Sequence, residues 1–111
     1  EKLTVLDLAE AFGLPLLVVA RAGLGTLNHT LLTVDAARAR GLAVAAIAIN
    51  RYRPHSPDLS EESNPAILAE LTGLPVVCVP DDPDTRTEPN PSLGADVLFA
   101  CRQIRIPGLR P

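Results

Sequence analysis

A chain of 111 residues, 47% apolar but with only three aromatic side chains (Phe12, Tyr52 and Phe99), has material for one modest core of Ala, Leu, Val and Ile, which suits thin α/β layers better than a β-sandwich. A net charge of −3 with a single lysine, Lys2, argues against a nucleic-acid partner, because phosphate contacts need clustered Lys and Arg. No apolar stretch has the length of a membrane span, no signal peptide is visible, and Cys78 and Cys101 lack CxxC spacing or a nearby His; no membrane, disulfide framework or zinc site is expected, and a reduced, cytoplasmic compartment is.

The chain opens, from Glu1 rather than Met, almost directly on a helix-start signal, and an upstream portion is therefore expected. Thr4 with Asp7 three residues on resembles a capping box, with Leu3 and Leu8 placed for a hydrophobic staple; a helix is predicted over 4–12. Gly13 is placed to close it, and the unbroken apolar run after it predicts a strand over 14–20. A helix over 27–40 and a strand over 44–50 come next. Asn64-Pro65 places a good N-cap before a proline at the first helical position, so the third helix is predicted over 65–72. A strand over 75–79 comes after it. Asn90-Pro91 repeats the cap, and a last helix over 92–104 would align Val97, Leu98, Cys101 and Ile104 on one face.

The order is a repeat. Leu8-Ala9-Glu10-Ala11-Phe12-Gly13-Leu14-Pro15 matches Leu68-Ala69-Glu70-Leu71-Thr72-Gly73-Leu74-Pro75, and a weaker copy runs from Ala37 through Gly41-Leu42 to Val44. Helix, glycine and non-alternating apolar strand, at intervals of about thirty residues, is the βαβ rhythm of a parallel sheet buried on both faces. Two polar, proline-containing segments, 51–63 and 80–91, each lie at the carboxyl end of a strand, where open α/β sheets bind ligands.

Three constellations could carry chemistry. Arg21-Ala22-Gly23-Leu24-Gly25-Thr26-Leu27-Asn28-His29-Thr30 lies between a strand and a helix. Its glycines admit close backbone approach, and the helix start offers unpaired N–H groups to a carboxylate or phosphate. The spacing mimics a P-loop, but Asn28-His29-Thr30 stands where Gly-Lys-Thr is required, so it is no triphosphate cradle. The same residues also read as a tight βα turn with a capping Asn or Thr, His29 as a packing residue or a base, and Arg21 as a counter-charge or a solvated strand end. Asn50, with Arg51 beside it, ends a strand where its amide could meet a purine edge or bond its own backbone. Pro80-Asp81-Asp82-Pro83 reads as a metal-binding pair or, with too few oxygen ligands for a hard cation, as a solvated turn.

Leu14-Pro15-Leu16-Leu17-Val18-Val19, followed by Gly23-Leu24-Gly25-Thr26-Leu27-Asn28-His29-Thr30, resembles the dethiobiotin synthetase family, in which the Leu-Gly-x-(Ile/Leu)-Asn-His element precedes a helix. The resemblance continues through Gly41-Leu42, Asn50, Asn64-Pro65 and Leu71-Thr72-Gly73-Leu74-Pro75, over roughly residues 3 to 82. It implies a parallel sheet with flanking helices in a P-loop NTPase (MinD/ParA-like) fold, with residues 1–111 forming the C-terminal portion of a single domain. It also implies a homodimeric ligase of biotin synthesis that uses ATP and Mg²⁺ to close a cyclic urea from 7,8-diaminopelargonate and CO₂.

By the same resemblance, Gly25, Thr26, Leu27 and Asn28 hold the substrate's carboxylate tail and reach across the dimer, while Asn50, Arg51, Pro80, Asp81 and Asp82 border the adenine. The family's P-loop, catalytic lysines and Mg²⁺-binding acids correspond to no residue here, and some relatives carry lysine where Gly23 stands. The chain is therefore expected to hold no catalytic residue and no metal ligand, and to be inactive in isolation. A non-catalytic regulatory domain of the same resemblance, and an amidoligase-type domain of cobyrinate synthesis, are the other readings.

Overall fold

A computed structural model describes residues 2–56, 58–81 and 102. Helix α1 (Val5–Phe12), strand β1 (Leu16–Arg21), helix α2 (Thr26–Ala39), strand β2 (Val44–Tyr52), helix α3 (Leu59–Thr72) and strand β3 (Val76–Pro80) succeed one another. The strands form a parallel sheet in the order β1-β2-β3. The α/β expectation is met. The helix predicted over 92–104 falls outside the described residues except for Arg102, which is helical.

The local signals explain the element ends. At the start of α1 the Asp7 N–H donates to Thr4 Oγ1 (3.2 Å) and the Thr4 N–H to Asp7 Oδ2 (2.7 Å), a complete capping box. Leu3 and Leu8, the staple pair, both remain exposed. Gly13 and Gly73 close α1 and α3 in the left-handed conformation, with φ of 62° and 68°, which a residue with a Cβ adopts only at a cost. Arg40 at the end of α2 pairs with Asp7 (2.8 Å) and Glu10 (3.1 Å), tying α1 to α2. The Asp7 carboxyl lies far below the usual range, chiefly through its bond with Thr4 and then with Arg40.

Three expectations are corrected. The third helix starts at Leu59, six residues before Pro65, because Asp58 caps it by accepting from the Ser60 N–H (2.9 Å) and Glu61 and Glu62 place negative charge in its first turn. Pro65 lies inside α3, and Asn64 is buried rather than capping. The segment 51–63, read as lying outside the regular elements, instead supplies the end of β2 and the first turn of α3. Strand β1 is not buried on both faces. Its burial alternates, with Leu17 and Val19 exposed, because among the described helices only α2 packs closely on it. Only central β2 carries a continuous buried run, Ala46–Ile49. With Val34 of α2 and Leu68 of α3, its isoleucines form the core. Helices α2 and α3 touch directly where Arg38 Nη2 donates to the Thr72 carbonyl (2.7 Å).

Candidate functional site

The carboxyl ends of the strands bring the two candidate loops to one sheet edge. Arg21, last in β1, lies opposite Asn50 of β2, and Tyr52 lies opposite Pro80 of β3. The first loop turns on Gly25, which caps α2 with φ 88° and ψ −8° and so supplies no capping side chain. The N–H groups of Leu27 and Asn28, within the first turn of α2, have no intrahelical acceptor. That of His29 is already bonded to the Gly25 carbonyl (3.1 Å).

The four residues of this loop divide by side chain. Thr26 is buried, its hydroxyl bonded to that of Thr30 (3.3 Å), and Leu27 packs on the core. Both therefore offer only backbone to a ligand. Asn28 is exposed, so its amide is the side chain this turn presents. Thr30, at the place of a P-loop hydroxyl, is likewise buried. The His29 ring lies beside Gly25, its Cε1 3.9 Å from where a Cβ there would stand. A Cβ at Gly23 would meet nothing within 4 Å, so that position has room for a side chain. Arg21, His29 and the threonines Thr26, Thr30 and Thr33 line a small groove of about 240 Å³ alongside β1.

The second loop is built on an irregularity. Between Ile49 and Tyr52 the pairing of β2 with β3 slips by one residue, and Arg51 within that bulge has a left-handed φ of 59°. The Arg51 N–H donates to Asn50 Oδ1 (3.0 Å), the backbone bond anticipated as one reading of Asn50. Asn50 is exposed, and its NH₂ group and second oxygen lone pair remain for a base edge. Arg51 Nε reaches Asp81 Oδ1 (3.1 Å), and the Asp81 N–H donates to the Tyr52 carbonyl (2.9 Å). Asn50, Arg51, Pro80 and Asp81 thus come together, whereas Asp82 lies outside the described residues. Among the described residues no three His, Cys, Asp or Glu side chains cluster to hold a metal. No described helix is long and apolar enough to cross a membrane.

Residues 1–89 match the protein family described as AAA domain. The chain belongs to this AAA domain family. Its fold is that of P-loop NTPases, and the resemblance to dethiobiotin synthetases holds across curated proteins. The chain is 58% identical over 79 residues to the ATP-dependent dethiobiotin synthetase BioD of Anaeromyxobacter sp. (strain K), covering 70% of this chain and 35% of that protein. It is 43% identical to the BioD of Haloferax mediterranei over 76 residues, 68% of this chain and 32% of the relative. The BioD of Bacillus subtilis (strain 168) is also 43% identical, over 71% of this chain and 34% of its own length. The AAA domain chain thus spans about a third of the length of the relatives it matches.

Sequence reasoning missed two residues that shape the site of this AAA domain chain. Asn64, read as a cap, donates from Nδ2 to the Ala22 carbonyl (3.0 Å) from a buried position. Glu61, also buried on α3, accepts from Arg53 Nη2 (2.6 Å) and Nε (3.2 Å), which holds its carboxyl below the usual range. Asn64-Pro65 is a stronger capping signal than Asp58, and nothing in the sequence marks Asn64 as facing inward.

Proposed function

We propose that this chain supplies the substrate-tail and adenine contacts of an ATP-dependent ring-closing carboligase that forms dethiobiotin from 7,8-diaminopelargonate and CO₂. The observation that carries the proposal is the Gly25 turn: a side-chain-free, left-handed cap with the Leu27 and Asn28 N–H groups and an exposed Asn28 amide at one helix start. That is donor chemistry for a carboxylate, strengthened by the positive end of the α2 dipole. The relatives' shared name, dethiobiotin synthetase, supports the same reading. Asn50, held in its bulge, is the donor and acceptor for adenine, with Arg51, Pro80, Asp81 and Asp82 bordering the base.

In the reaction one amine of the substrate captures CO₂ as a carbamate. The carbamate oxygen takes the γ-phosphoryl group of ATP, and the second amine displaces phosphate to close the urea ring. Residues of this chain hold the two ends of the reaction, the acid tail and the base, and take no part in bond making. Mg²⁺, when bound, would neutralise the moving phosphate charge, held by residues other than those of this chain. The enzyme acts as a cytoplasmic homodimer, with the Gly25 turn serving the partner's active site.

The test uses a full-length enzyme carrying this segment. Loss of a hydrogen bond to a charged group predicts that Asn28→Ala raises the KM for 7,8-diaminopelargonate about tenfold, with the KM for ATP little changed. Asn50→Ala is expected to do the reverse and to relax discrimination among purine nucleotides. A collapse of ATP binding in the Asn28 variant overturns the assignment of the turn.

A further inference from the structure

We infer that Asn64 is a positioning residue for the carboxylate-gripping turn, fixing from α3 the backbone that enters Gly23-Leu24-Gly25. The inference rests on the proposed role of that turn. Strand β1 ends at Arg21, so the carbonyl of Ala22 has left the sheet ladder while Ala22 remains only 4% exposed. A buried carbonyl without a donor is costly. The Asn64 amide, 3% exposed and 42 residues further along the chain, fills that need with a 3.0 Å bond.

The residues just after Ala22 make the direction of that carbonyl matter. Two of the next three are glycines, one of them with a positive φ, so the turn's own backbone defines its path weakly. The contact from α3 fixes the entry to the turn, while Thr26 and Leu27 seat the start of α2, and together they set where the Leu27 and Asn28 N–H groups point. Asn64 is itself held. Glu61, three residues earlier and so on the same helical face, is gripped by both Arg53 nitrogens at the end of β2. The first two turns of α3 therefore clasp the post-β1 turn on one side and the post-β2 segment on the other, linking the tail site to the adenine site. Alignment within a turn of this kind matters because a displacement of about 1 Å can cost a hundredfold in rate.

The experiment again uses a full-length enzyme carrying this segment. Asn64→Leu keeps the side chain's size and removes its donor. The variant is expected to raise the KM for 7,8-diaminopelargonate about fivefold to tenfold and to leave the KM for ATP within about twofold. On a vicinal diamine of the same length lacking the carboxylate, variant and unmodified enzyme are expected to act alike, because the misplaced grip is not used. Asn64→Ser, smaller and too short to reach, is the second variant with the same expected split. Equal loss on both diamines, or failure of both variants to fold, assigns Asn64 to the core alone and overturns the inference. An unmodified enzyme that does not distinguish the two diamines instead overturns the role of the turn.

Discussion

Arg51 holds a backbone conformation that a side chain disfavours, with φ of 59° in the bulge that ends the pairing of β2 with β3. The left-handed region costs an L-residue roughly 1–2 kcal/mol. Its ion pair with Asp81 is largely exposed and so returns little. The conformation makes sense as the means of turning Asn50, whose Oδ1 is bonded by the Arg51 N–H, out of the β2–β3 pairing and toward solvent. A pair of variants isolates the backbone contribution, since both remove the guanidinium. Arg51→Gly is expected to be more stable than Arg51→Ala by about 1 kcal/mol in urea denaturation. Equal stabilities would mean that the bulge is unstrained. Asn50 itself shows what the sequence could convey. Its place at a strand's carboxyl end was legible, and so were its two competing uses. The bulge that lets one side chain serve both depends on the register with β3, which no local pattern encodes.

At the scale of elements, α3 decides where the site's supports stand. Its start at Leu59 rests on Asp58, whose carboxylate takes the Ser60 N–H and is held below its usual range chiefly by bonds from Ser60. Replacing a good cap by alanine lowers the melting temperature of a domain this small by roughly 5 °C. Asp58→Ala is therefore expected to shift a far-UV circular dichroism melt by that amount. A helix beginning at Pro65 would leave the melt unmoved. The glycine-closed helices and the apolar strands were readable because each repeat states its own ends: a cap, a glycine, and a run of branched side chains. The start of α3 was not, because two capping signals lie six residues apart and tertiary packing chooses between them. Asn64 is drawn inward by the orphaned Ala22 carbonyl, a need that arises only once β1 and α3 are side by side.

Seen whole, the described residues form a three-stranded sheet whose β1 edge no described element pairs with. Among the described residues β1 pairs only with β2, leaving its outer row of N–H and C=O groups open. On that strand Val19 is 65% exposed and Leu17 42%. Beside them an apolar groove of about 520 Å³ runs between α1 and α2, bordered by Val5, Leu6, Leu32 and Ala36. An open strand edge flanked by an apolar patch is a template for pairing with another chain. The chain in isolation is therefore expected to self-associate, eluting from size exclusion with a light-scattering mass above its own 11.7 kDa. Val19→Lys places a charge on the open edge without touching the core cluster, and is expected to shift the population toward monomer while leaving the circular dichroism spectrum unchanged. Association that persists undiminished in the lysine variant would place the contact elsewhere. A sharp monomer from the unmodified chain would show that the open β1 edge does not drive association.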